Sequence, residues 1–157
     1  MTDRSTRASG ATQPKPVLLV VEDDLVLRIM IGEILRAAFP GCNCISCGSG
    51  EEAVRLARAE KIDAILMDIG LPGINGIQTT GQIKEIAPRV PVVMLTGYGV
   101  DMFGPMAKAA GAAAYVVKDA MCKDLVPLLD RLLAGQDEMT SVRAAASASI
   151  SRRSHSR

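Results

Sequence analysis

The stretch VLLVVEDD at residues 17–24 decides how the rest of the chain is read. Val17 to Val21 is apolar at every position, not at alternate ones, and such a run belongs to a strand buried on both faces, as in a parallel sheet covered by helices. Leu27, Met30, Ile31, Ile34 and Ala38 then recur at helical spacing until Phe39-Pro40-Gly41, whose proline cannot continue a helix. The unit is a strand that feeds a helix, ending in three acids at the junction.

The same alternation repeats downstream. Cys42–Ser46 reads as a second short strand, and Ser49-Gly50-Glu51-Glu52 has the S-x-x-E form of a capping box that opens a helix running to about Glu60. Ala64–Met67 is a third strand. A loop with Leu71-Pro72-Gly73 leads to a helix over Gly76–Ala87, stopped by Pro88. Pro91–Leu95 is the fourth strand, Asp101–Ala110 a helix ending at Gly111, and Ala113–Val117 the fifth strand. Leu125, Leu128, Leu129 and Leu132 mark the inward stripe of a last helix ending at Gly135. Five such units are too few to close an eight-stranded barrel, so the expected fold is α/β, a doubly wound five-stranded parallel sheet.

Three regions follow from composition. Residues 1–16 are polar and aperiodic and read as a disordered arm, residues 17–135 as the folded domain, and residues 136–157 as a disordered basic tail or linker. Of 157 residues 48% are hydrophobic and only 3% aromatic, so the core is aliphatic and a base-stacking nucleic-acid platform is excluded. Each arm carries a net charge of +2, which leaves −3 on the segment between them. The single histidine, His155, lies in the tail, so histidine catalysis and histidine metal clusters have no residue to use within the body. The start of the chain has no apolar leader, and no run approaches the ~20 residues that span a bilayer, so the expectation is a cytoplasmic protein with reduced thiols and no membrane partner.

In open α/β sheets, ligands bind beyond the carboxyl ends of the strands. The first predicted strand runs into Glu22-Asp23-Asp24, the third into Asp68, the fourth into Thr96 and the fifth into Lys118. Carboxylates gathered at one edge repel unless a cation or a raised pKa compensates them. Mg²⁺ is suited to the task, since it prefers oxygen ligands and usually takes one or two carboxylates plus phosphate oxygens and water. Asp23 and Asp68 then serve as direct ligands, Glu22 holds on through water, and Lys118 meets a second anion entering beside the metal. Asp24 reads as a helix cap.

With these residues placed, the chain resembles the receiver domains of two-component response regulators, which have a flavodoxin-like fold. The matching elements are VLLVVEDD at 17–24, LMDIGLPGING at 66–76, VVMLTGYG at 92–99 and AYVVKDA at 114–120, with Asp23, Asp68, Thr96 and Lys118 spaced by 45, 28 and 22 residues. The resemblance implies that Asp68 accepts a phosphoryl group from a phosphohistidine on a sensor histidine kinase or a histidine phosphotransfer protein. It implies an Mg²⁺ site made by Glu22, Asp23, Asp68 and the backbone carbonyl of Gly70. Thr96 and Lys118 contact the phosphoryl group on the same reading, and Tyr115 is the aromatic switch behind the threonine. The protein is then a switch acting on a downstream protein, as a monomer or a dimer, and not an enzyme.

Two departures shape the expectations. Asp119, not proline, follows Lys118, so that peptide is expected to be trans; the Lys-Asp-Ala form is most like receivers whose regulators carry a helix-turn-helix output domain. Gly70 and Tyr98 stand two residues after Asp68 and Thr96, where the family tunes the life of the phosphoryl group. A side-chain-free Gly70 cannot orient a hydrolytic water and the Tyr98 ring is expected to shield the site, so a long-lived phosphoform is expected. The alternatives are the regulatory part of a DNA-binding transcription factor whose output domain is absent, and an Mg²⁺-dependent aspartyl-phosphate phosphohydrolase using the same pocket. Cys42, Cys44 and Cys47 lack a fourth ligand for tetrahedral zinc and read as small buried hydrophobes. Four arginines over the tail are too few to make nucleic acid an expected partner of this chain alone.

Overall fold

A computed structural model describes residues 15–97 and 100–135; the expected arm and tail, and Tyr98, fall outside the described residues apart from positions 15 and 16. Five strands, β1 (Val17–Val21), β2 (Asn43–Cys47), β3 (Ala64–Asp68), β4 (Val92–Thr96) and β5 (Ala114–Val117), form one parallel sheet in the order β2-β1-β3-β4-β5. Helices α1 (Leu25–Ala38), α2 (Gly50–Ala59), α3 (Gly76–Ile86) and α4 (Val100–Ala110) connect them, and a 3₁₀ turn at Lys118–Ala120 leads into α5 over 121–135. This is the doubly wound arrangement that the aliphatic runs predict.

The run at 17–21 explains the two layers. Leu19 and Val21 join Ile65, Met67, Val92 and Met94 in a core beneath α2, α3 and α4, whereas Leu18 and Val20 join Leu66, Val93 and Leu95 against Ile31, Leu35, Leu125 and Leu129 of α1 and α5. Successive strand side chains point to opposite faces, so only a strand with helices on both sides buries all of them.

Strand ends differ from the apolar runs by about one residue. β3 continues to Asp68 and β4 to Thr96, because the ladder goes on where the hydrophobic run stops: Asp68 stands in register with Leu95, and Ile69 N–H donates to the Leu95 carbonyl at 3.2 Å. β2 is shifted to end at Cys47, whose carbonyl accepts from Glu22 N–H at 3.1 Å. Ser49 caps α2 through the Glu52 N–H, while the reciprocal capping box belongs to α3, where Asn75 and Gln78 bond each other's backbone N–H. α4 closes in a Schellman turn: Gly111 has φ +101°, its N–H donates to Lys108 O, and Ala112 N–H donates to Ala107 O.

Cys42 and Cys44 pack on the α1 side of the sheet and Cys47 on the opposite side, so the three thiols share no site. Burial pushes the Cys47 thiol up to about 11.

Candidate functional site

Every predicted polar residue at the carboxyl edge reaches it by the same route, as the last residue of a strand or one to three beyond. Glu22 follows β1 and is 1% exposed; Asp68 ends β3 and is 5% exposed. Asp23, exposed, is held between Glu22 and Asp24, the latter being the N-cap of α1 through the Leu27 N–H at 2.9 Å. Carboxylate oxygens of Glu22, Asp23 and Asp68 lie within 4.8 Å of one another, and among the described residues they are one such group.

Lys118, just past β5, closes the site from the other side. Its Nζ is 3.0 Å from Glu22 Oε2 and 3.2 Å from Asp68 Oδ1. Burial works to lower the Lys118 pKa, but the two carboxylates outweigh it and hold the ammonium above its ordinary value. Burial also drives the Glu22 carboxyl upward; the Lys118 ammonium and the Asp24 N–H oppose it, and the Asp68 charge adds to the rise. Glu22 Oε1 accepts from Asp24 N–H at 3.1 Å, and the buried Oε2 is paired with the Lys118 ammonium at 3.0 Å. Three carboxylates within reach of one another, with no imidazole or thiolate among them, make an all-oxygen donor set that fits a hard cation such as Mg²⁺.

The β3–α3 loop supplies the remaining edge. Gly70 N–H donates to Asp68 Oδ1 at 3.3 Å, and the space where a Gly70 side chain would stand is open. Gly76 is the opposite case, since a Cβ there would run into the Asp68 carbonyl. Its N–H donates to Ile69 O at 2.9 Å, so the first turn of α3 packs directly under the carboxylate-bearing strand end.

Thr96 is 1% exposed, ends β4 and stands in register with Val117, next to Lys118. Tyr115 is set back by two residues, opposite Met94; it packs on the α2–α4 side, and its buried hydroxyl has no partner among the described residues. The sheet thus brings Glu22, Asp23, Asp68 and Lys118 into direct proximity, with Thr96 beside them and Tyr115 behind. The Lys118 peptide is trans, as are all described bonds.

Against this geometry, the family model for the response regulator receiver domain matches residues 18–130. The chain belongs to that family. It is 34% identical over 145 residues to the transcriptional regulatory protein PdtaR of Mycobacterium tuberculosis, covering 90% of this chain and 67% of PdtaR. It is 34% identical over 120 residues to the response regulator GacA of Pseudomonas aeruginosa, covering 76% of this chain and 56% of GacA. Among solved structures it matches the receiver domain of a Pseudomonas aeruginosa sensor histidine kinase with a TM-score of 0.69 and 31% identity, over 76% of this chain and 98% of that one. That structure holds a magnesium ion coordinated in its active-site cleft. The doubly wound sheet is therefore a receiver fold, and the chain is a receiver of two-component signalling. No described helix is long and apolar enough to cross a membrane.

Two contacts at the site were not legible in the sequence. Arg28, the lone charged residue among LVLRIMI, donates from Nη1 to the Glu22 carbonyl at 3.3 Å. Glu51, at the start of α2, accepts from Ile74 N–H at 3.2 Å and pins the loop after Asp68. Only the odd charge at 28 offered a signal.

Proposed function

We propose that this receiver is a stoichiometric phosphorylation switch, not a catalyst, in which Asp68 is the phosphoacceptor. The observation that carries the reading is the pairing of Asp68 with Lys118 inside a group of three carboxylates, at a strand end where an incoming anion meets one fixed cation. An oxygen of the Asp68 carboxylate attacks the phosphorus of a phosphohistidine on a histidine kinase or phosphotransfer protein. The phosphorus–nitrogen bond breaks, its electron pair returns to the imidazole, and an acyl phosphate remains on Asp68.

Glu22, Asp23, Asp68 and the Gly70 carbonyl would hold Mg²⁺, which when bound supplies charge neutralisation to the phosphoryl oxygens. The protein's own part is to present one Asp68 oxygen outward, to keep Lys118 within reach of the arriving charge, and to offer the Thr96 hydroxyl to a phosphoryl oxygen. Movement of Thr96 leaves room behind it, and the Tyr115 hydroxyl, buried without a partner, gains by turning with it. That couples the new charge to the face formed by α4, β5 and α5, which meets the downstream protein or a second copy of the chain.

Residues 17–135 make up this unit, working in the cytoplasm where a kinase supplies the phosphoryl group. The absent side chain at Gly70 favours a phosphoform that survives minutes or longer; a half-life of seconds with Mg²⁺ would contradict that. Incubation with acetyl phosphate and Mg²⁺, read by intact mass, tests the whole reading: one phosphoryl group per chain is expected, and continued turnover of acetyl phosphate would favour a phosphohydrolase.

A further inference from the structure

We infer that Arg28 is a positioning residue for the metal site, holding the Glu22-Asp23 backbone through a slot that Gly48 keeps open. The inference rests on the Mg²⁺ reading of the acidic group. Successive residues of a chain ordinarily point apart, yet the carboxylates of Glu22 and Asp23 must both face one ion, so the backbone between them has to be fixed. Three bonds fix it: Glu22 N–H to the Cys47 carbonyl at 3.1 Å, Asp24 N–H to Glu22 Oε1 at 3.1 Å, and Arg28 Nη1 to the Glu22 carbonyl at 3.3 Å. The first two are made by strand and turn neighbours. The third is a side chain reaching back from α1.

Gly48 makes that reach feasible. A Cβ at position 48 would stand 2.8 Å from Arg28 Nη1 and 4.0 Å from Asp23 Cα, so the guanidinium lies in the space a side chain would fill, between the β1–α1 and β2–α2 loops. Gly48 is not in the left-handed region, so its want of a side chain serves the space and not the backbone angle. The hold of Arg28 is on the peptide carbonyl.

The two modes of action predict opposite signs. If Arg28 were only a nearby cation, removing it would tighten Mg²⁺ binding; as a backbone hold, its removal weakens binding, and groups that orient metal ligands are typically worth about 10–100-fold in affinity. The test is calorimetric Mg²⁺ titration of the full chain as wild type, Arg28→Met, Gly48→Ala, the double variant and Asp23→Asn, with amide exchange of residues 22–24 measured on the metal-free proteins. Arg28→Met and Gly48→Ala should each weaken Mg²⁺ about tenfold or more and speed exchange of the Glu22 amide. The double variant should be no weaker than the worse single one, because both remove the same contact. Gly48→Ala keeps every charge and ligand and displaces only the tip of a long side chain, so it carries the test if Arg28→Met fails to fold. Unchanged or tighter Mg²⁺ binding with unchanged exchange in both single variants, while Asp23→Asn loses the metal, would overturn the role of Arg28 and leave the metal site standing. Equal Mg²⁺ binding by wild type and Asp23→Asn would instead sink the metal reading, and the exchange rates alone would then decide the hold.

Discussion

Lys118 Nζ lies 3.2 Å from Asp68 Oδ1, although fifty residues separate them in the chain. The contact exists because β3 and β5 flank β4 in a parallel sheet and end at the same edge. Lys118 also neutralises Glu22, so one ammonium balances two buried carboxylates. Replacing it with methionine strands both. Metal-free Lys118→Met should lose roughly 1–3 kcal/mol at neutral pH, since removing one partner of a buried pair leaves uncompensated charge. Urea unfolding in EDTA measures this; a variant as stable as wild type would show that the pair contributes nothing before a ligand arrives.

Glu22 gives the pH dependence. Its folded pKa is raised, so the stability it contributes is fully present below the unfolded value of about 4.3 and is lost as pH rises through the folded value. At neutral pH the ionised carboxylate therefore costs stability. Metal-free Glu22→Gln should match wild type near pH 4 and become the more stable protein as pH rises toward 8. Melting curves at the two values check the sign, and a glutamine variant that loses ground with rising pH would contradict it.

The two glycines around Asp68 should behave oppositely. Gly76→Ala puts a methyl into the Asp68 carbonyl and should cost roughly 1–3 kcal/mol, the usual range for an overpacked site. Gly70→Ala meets open space and should leave folding unchanged within about 0.5 kcal/mol. Equal melting temperatures for the two variants would argue against the close packing of α3 under β3.

Thiol chemistry should separate the four cysteines by position. Cys122 is exposed on α5, while Cys47 is buried with its pKa pushed up to about 11, so little nucleophilic thiolate forms there at neutral pH. A maleimide time course read by peptide mass should show Cys122 labelled first and Cys47 last. Early labelling of Cys47 would mean that β2 opens at the sheet edge.

The sequence made the sheet, its helices and the acids at its edge readable because all three rest on one signal, an apolar run that stops at a polar residue. Val17–Val21 and Glu22 carry that signal in consecutive positions, and Asp68, Thr96 and Lys118 repeat it. Strand limits were less legible: Asp68 and Thr96 are polar yet still belong to their strands, because the neighbouring ladder and not hydrophobicity decides where pairing ends. The holds made by Arg28 and Glu51 were hidden for another reason. They join a side chain to a backbone group 6 and 23 residues away, and only the assembled loops bring those partners together. Of the three cysteines expected to be small buried hydrophobes only Cys47 is buried; Cys42 and Cys44 are half-buried on the opposite side of the sheet, because β2 is an edge strand.

Intact-mass analysis after incubation with acetyl phosphate, with and without Mg²⁺, tests the central claim most directly. Wild type should gain one phosphoryl group in the presence of Mg²⁺ and little without it, and Asp68→Asn should gain none. An undiminished adduct on Asp68→Asn, or no Mg²⁺-dependent adduct on wild type, would contradict the assignment of Asp68 as the phosphoacceptor.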